Sequence, residues 1–214
     1  MPVVCPTVLA SNADDFKTAI DKIAAFGNRI QVDLTDGIFA KSQTLKPSEI
    51  WWPAGFLADI HLMYKDPFLV LKEVLVHQPN LIIVHAEADG NFNDTYEACR
   101  NTGVKLGVAL LPATKPSVII KQLSKIDHVL IFSGDLGNYG GHADLSLLDK
   151  VSYLKQQKPE LEIGWDGGIN ERNVSELVFG GVDVLNVGGY IQKADNPEKA
   201  YNTLFRIAEE TGTT

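Results

Sequence analysis

Apolar residues along this 214-residue chain come in short bursts. "VVCPTVLA" (3–10), "RIQVDL" (29–34), "ADIHLM" (58–63), "LIIVHA" (81–86), "KLGVALL" (105–111), "HVLIFS" (128–133), "LEIGWD" (161–166) and "VDVLNVG" (182–188) are β-rich and predict strands. The stretches between them are polar, with apolar residues at helical spacing. In "ADDFKTAIDKIAAF" (13–26), Phe16, Ile20 and Ile23 share one helical face, and Gly27 supplies the stop. "DPFLVLKEVLVH" (66–77) opens with Asp66 at an N-cap position and Pro67 in the first turn. Helices are likewise predicted over 93–103, 115–124, 145–157, 170–181 and 196–210, with the weakest at 44–52, around "TLKPSEIWW".

Strands that alternate with helices require a parallel sheet with helical crossovers. A doubly wound sheet and a closed barrel both satisfy the pattern. Eight repeats favour the (β/α)8 TIM barrel, although the chain is shorter than the ~250 residues typical of that fold. No linker, low-complexity run or charge block interrupts the sequence, so residues 1–214 are read as one domain.

Composition narrows the function. Hydrophobic residues make up 45% and charged residues 21%, an ordinary globular balance. The formal charge of -8 lacks the basic footprint of a nucleic-acid groove. It leaves room for a phosphorylated metabolite, because backbone N–H groups bind phosphate without Lys or Arg. Cys5 and Cys99, with no CxxC spacing, argue against a disulfide framework or a structural zinc site. "MPVVCPTVLA" has no basic n-region, and no apolar run approaches the ~18 residues of a membrane span. The expectation is a cytoplasmic protein with no membrane partner.

In a barrel, active-site residues sit at the C-terminal ends of strands. Those ends carry Asp33, His61, His85, Glu87, Ser133, Asp135, Asp166 and Gly188-Gly189. Taken singly, Asp66, Asp135 and His85 read as caps or structural groups. Asp33 and Asp166 differ, because each follows an apolar strand and precedes glycine-bearing loop sequence, "VDLTDG" and "WDGG". In "QVDLTDGIFA" (31–40), strand alternation also puts Gln31 and Asp33 on one side and Val32 and Leu34 on the other. An amide and a carboxylate thus share the inward face. Glycines cluster after the last three strands, in "GDLGNYGGH" (134–142), "DGG" (166–168) and "NVGGY" (186–190). Each makes a turn, and three on consecutive strands fit a phosphate site built from backbone N–H groups.

At these residues the sequence resembles the ribulose-phosphate 3-epimerase family. The ordered set "PTVLASNADDF", "QVDLTDGIFA", "DIHLMYKDP", "LIIVHAEA", "GVALLPAT", "GNYGGH", "WDGGIN", "DVLNVGGYI" and "NPEKAY" carries the resemblance nearly end to end. It implies a barrel that inverts one carbon of a ketopentose phosphate through an enediolate. Two aspartates on opposite faces of the sugar and a divalent metal do the work. By position, Asp33 and Asp166 become the catalytic acid and base. The metal set becomes Asp33, His61, Asp166 and Gln31, with Zn, Mn, Fe or Mg as the ion. Gln31 stands where the family has a second histidine. An amide oxygen is a poorer zinc ligand than imidazole, so weaker or altered metal binding is expected. Met63 matches a methionine beside the substrate, and Gly140, Gly141, Gly167, Gly168, Gly188 and Gly189 match the phosphate-gripping turns. The family's serine on β1 is Ala10 here, and Ser11, one residue on, is the substrate-binding candidate, although a regular strand would turn it the other way. Thr35 replaces a family methionine, which should leave more room, and Gly189 replaces a common serine.

The resemblance implies a sugar-phosphate epimerase acting on a phosphorylated ketose such as ribulose 5-phosphate, or on a related hexulose phosphate. One alternative is a non-catalytic sugar-phosphate-binding protein with a degraded metal site. Another is a decarboxylase or aldolase of the orotidine-phosphate type, but its Asp-x-Lys-x-x-Asp signature has no lysine counterpart in "DLTD". Such barrels often form homo-oligomers, and no interface is identifiable from the sequence.

Overall fold

A computed structural model describes residues 1–213; Thr214, the last residue of the expected domain, lies outside them. The strands β1 (Val3–Leu9), β2 (Arg29–Thr35), β3 (Leu57–Met63), β4 (Leu81–His85), β5 (Lys105–Leu110), β6 (His128–Phe132), β7 (Glu162–Asp166) and β8 (Val184–Val187) pair in chain order. Pairing of β1 with β8 closes the barrel, and every pair is parallel. The choice between an open sheet and a barrel is therefore settled in favour of the (β/α)8 TIM barrel.

The outer layer contains α1 (Ala13–Ile23), α2 (Phe68–Leu75), α3 (Phe92–Thr102), α4 (Leu148–Gln157), α5 (Val174–Phe179), the short α6 (Gly189–Gln192) and α7 (Pro197–Gly212). Local sequence sets their ends. The Asn12 side chain accepts from the Asp15 N–H at 2.9 Å and caps α1, and Asn196 caps α7 through Lys199 in the same way. Asp66 accepts from the Phe68 N–H at the start of α2, although Pro67 holds the cap position itself.

Two expected helices differ. Over 44–52 only a 3-10 turn forms, at Pro47–Glu49. Pro53 disfavours helical backbone at Trp52, so the two prolines leave room for about one turn. The 115–124 segment is a 3-10 helix, Pro116–Lys125, in which the β-branched run Val118-Ile119-Ile120 weakens α-helical preference.

Strand alternation divides the apolar residues into two cores. Ile30, Val32, Leu34, Ile60, Leu62, Ile82 and Val84 join Phe16, Ile20, Leu71 and Val74 in the large barrel–helix core. A small cluster of Leu81, Ile83, Ala109 and Leu130 forms separately. Much of the remaining buried strand inventory is polar. Arg29 donates to Asp59 Oδ2 at 2.6 Å and to both Glu162 oxygens at 2.9 and 2.8 Å, and His128 Nδ1 lies 2.7 Å from Glu162. Arg29, His128 and Glu162 begin their strands and Asp59 lies two residues inside β3, and these residues tie four strands together at the barrel base. The other end of the barrel holds the acidic pair.

Candidate active site

Register places the functional side chains at one height. Asp33 on β2 pairs with His61 on β3, and Thr35 pairs with Met63. On the other side of the closure, Asp166 on β7 pairs with Asn186 on β8, while Thr7 on β1 pairs with Gln31. Side chains of matching parity share one face of the sheet, so closure of the barrel aims these groups at each other.

They meet around one amide. Gln31 Nε2 donates to Asp33 Oδ1 at 2.8 Å and to Asp166 Oδ2 at 2.6 Å. Asn186 Nδ2 donates to Gln31 Oε1. His61 Nδ1 lies 3.0 Å from Asp33 Oδ1 and 4.0 Å from Asp166 Oδ2. Beneath it, His61 Nε2 lies 2.9 Å from His85 Nε2. Burial holds His85 down at a pKa of about 4, so it is neutral near pH 7. The rings of Phe39 and Phe132 pack against this histidine pair. Burial, then the negative charge of Asp33, raise the pKa of Asp166 to about 7, which favours a protonated carboxyl beside its partner.

Above the pair lies a cavity of about 280 Å³. Asp33, Met63, Asp166, Gly140, Gly141, Gly167, Gly168, Gly188 and Gly189 all line it. Gln31 and His61 are fully buried beneath its floor. Ser11 is exposed and belongs to a neighbouring groove with Lys22 and Gln192, not to this cavity. β1 ends at Leu9, and the next two residues turn out of the strand. Thr35 does not line the cavity: its hydroxyl donates to the Ser42 carbonyl at 2.6 Å, in the β2–β3 connection.

The glycine loops pack against one another. Gly167 has φ +118°, and a Cβ there would come 2.1 Å from the Gly134 nitrogen. Only glycine allows the β6 and β7 loops to approach so closely. Ser133 closes the β6 loop by donating to the His142 carbonyl at 3.2 Å and accepting from the Asp144 N–H at 2.7 Å. It is a loop clamp.

Several cavity residues escaped the sequence reading. Tyr139 reaches across the mouth, where its hydroxyl accepts from the Leu9 N–H at 2.6 Å and donates to the Thr7 carbonyl at 3.4 Å. Gly188 makes way for it, since a Cβ there would strike the Tyr139 ring at 2.7 Å. Asn170, Asn186 and Lys193 also line the cavity. The lysine lies four residues after Gly189, at the end of α6, so the wall is not purely backbone.

Asp33, His61 and Asp166 each offer one ligand atom, all within 4.8 Å of one another, and this donor chemistry suits a divalent cation. Gln31 does not complete the set. It presents amide hydrogens between the carboxylates, where a metal ligand would have to offer a lone pair.

Fold and site together define a (β/α)8 barrel with an acidic pair at its strand C-termini, beneath a glycine-walled cavity. The model of the ribulose-phosphate 3 epimerase family matches residues 3–192. The chain belongs to that family. It is 27% identical over 216 residues to ribulose-phosphate 3-epimerase from Helicobacter pylori, covering 96% of this chain and 98% of the relative. It is 30% identical over 206 residues to the Aquifex aeolicus protein of the same name, covering 92% and 93%. Among solved structures, KGPDC from Streptococcus mutans superposes with a TM-score of 0.77 at 15% identity, covering 99% of each chain. The 3-hexulose-6-phosphate synthase from Salmonella typhimurium gives 0.73 at 14% identity, covering 98% and 99%. At such identities the structural likeness is one of fold. Among the described residues no helix is long and apolar enough to cross a membrane.

Proposed function

We propose that the protein is a sugar-phosphate epimerase that interconverts ribulose 5-phosphate and xylulose 5-phosphate by two-aspartate acid–base chemistry. The observation that carries this reading is the convergence of Asp33 and Asp166 on one amide at the floor of the glycine-walled cavity. Epimerisation next to a carbonyl needs one group that removes a proton and a second that returns one to the opposite face. In one direction the Asp33 carboxylate accepts the proton and Asp166, favoured in its protonated form, supplies the other. The reverse reaction exchanges the roles. The intermediate is an enediolate, whose oxygens need a donor or a positive charge nearby.

A divalent cation such as Zn, Mn, Fe or Mg, held by Asp33, His61 and Asp166, would stabilise that charge. Gln31 does not fit such a set as it stands, and the acid–base steps belong to the aspartates. The substrate phosphate binds among the 140–141, 167–168 and 188–189 turns, held by backbone N–H groups, with the Lys193 ammonium adding charge. Met63 packs against the sugar.

The experiment is a coupled assay for xylulose 5-phosphate formation, with chelator and with added Zn2+, Mn2+ or Fe2+. Turnover under any of these conditions, abolished in Asp33→Asn, is expected. Saturable ribulose 5-phosphate binding without turnover under all of them would replace this reading with a sugar-phosphate-binding protein.

A further inference from the structure

Two buried amides sit under the acidic pair. Gln31 on β2 is 0% exposed and Asn186 on β8 is 1% exposed. Carboxylate oxygens only accept hydrogen bonds when ionised. Asp33 is such an acceptor, and a protonated Asp166 still accepts at Oδ2 when its proton sits on Oδ1, so Gln31 presents its nitrogen to both. Both Gln31 hydrogens are then committed, one to Asp33 and one to Asp166. That leaves Gln31 Oε1 in need of a donor, and Asn186 Nδ2 supplies it. The direction of every bond in the chain Asn186–Gln31–Asp33/Asp166 follows from the nitrogen that Gln31 turns to the acidic pair.

The arrangement has a cost. Asn186 Oδ1 is buried with no hydrogen-bond partner among the described residues. A buried polar group without a partner typically costs about 1–3 kcal/mol. An asparagine present only to fill space would give way to an apolar residue of similar volume. Its function lies in the bond it donates.

We infer that Gln31, oriented by Asn186, replaces a cation as the element that ties Asp33 to Asp166, so that the resting pair keeps its geometry without metal. A cation shared by two carboxylates draws them together, and an amide group that donates to both does the same without adding charge. The two functions compete for one position. To ligate a metal, Gln31 would have to turn its oxygen toward the aspartates and its hydrogens toward Asn186, which abandons all three bonds. Asn186 is accordingly a positioning residue: it touches neither reacting carboxylate by any hydrogen bond and acts through Gln31.

The inference concerns cation affinity and amide orientation, so it can fail while the epimerase reading stands, and the reverse also holds. The first test is calorimetric titration of MnCl2 into chelator-treated full-length protein. Wild type is expected to bind weakly and Gln31→His at least tenfold more tightly. Asn186→Asp accepts but cannot donate, so it should reverse the Gln31 amide and raise affinity at least tenfold. Part of that gain would come from the added charge alone. Repeating Asn186→Asp in a Gln31→Met background isolates the part transmitted through Gln31, in the manner of a double-mutant cycle. The gain is expected to shrink at least fivefold there.

The second test needs no folded Asn186 variant. In the 15N spectrum of glutamine-labelled wild type, the side-chain NH2 pair that disappears in Gln31→Met should be downfield and protected from solvent exchange. It should also stay unmoved by millimolar Mg2+. Tight stoichiometric Mn2+ binding by wild type, an equal Asn186→Asp gain in both backgrounds, or a Gln31 NH2 pair at free-amide positions would overturn the inference.

Discussion

Asp166 favours its proton because it is enclosed and faces Asp33. Its pKa rises from the ordinary 3.8 to about 7 in the folded chain. Between those values the folded state binds more protons than the unfolded state, so stability falls as pH rises across the window. Asp166→Asn removes this liability while leaving an oxygen that can accept from Gln31. The variant is expected to be more stable than wild type at pH 8, by up to about 4 kcal/mol, with the gap closing toward pH 4. Thermal melts across pH 4–8 check this, and a gap that widens toward acid would contradict it. In assays, Asp33→Asn and Asp166→Asn are each expected to lose on the order of 10²–10⁴-fold in kcat with little change in KM. At this scale the two aspartates were legible, because each sits between an apolar strand and a glycine turn. Asn186 was not. In "VDVLNVG" it reads as an ordinary polar residue in a strand, and its partner, Gln31, is 155 residues away. No local pattern encodes that contact.

Elements position these residues through loops that lean on each other. Tyr139 sits in the β6 loop and bonds the end of β1, which brings the loop over the cavity. Tyr139→Phe should cost about 1 kcal/mol, the usual worth of a hydrogen bond, and should raise KM for a sugar phosphate severalfold with kcat within about twofold. Steady-state kinetics separate the two parameters, and an unchanged KM would show that the loop needs no such tether. Gly167→Ala is a harsher change, made where the β6 and β7 loops meet, since its Cβ would meet Gly134 backbone at 2.1 Å. It is expected to lower the melting temperature and impair phosphate binding together. The strands were readable from apolar runs with a β-rich character. The helix expected over 44–52 was not real, because Pro47 and Pro53 restrict the backbone more strongly than the apolar residues between them favour a helix. Tyr139 was hidden for a different reason. "GNYGGH" announces a turn, and nothing in a turn tells which strand its aromatic will reach.

At the scale of the whole molecule, the barrel separates stability from chemistry. Arg29, Asp59, His128 and Glu162 join β2, β3, β6 and β7 at the base, and the acidic pair occupies the opposite end. Arg29→Met would leave the buried Asp59 carboxylate with only the Asn80 amide and Glu162 with only His128, and removing the cation from such a buried network typically costs about 3–5 kcal/mol. Denaturant melts should reveal that loss, while kcat on the folded fraction stays within about twofold. Unchanged stability would show that the base network does not hold the barrel together. The central claim is that the acidic pair at the mouth moves a proton on and off a carbon of a ketose phosphate. Incubation with D-ribulose 5-phosphate in D2O, followed by proton NMR, tests it directly. Deuterium is expected at C3, with xylulose 5-phosphate appearing alongside, and neither in Asp33→Asn. Undiminished C3 proton signal and no new epimer, both with chelator and with each divalent cation in turn, would contradict it.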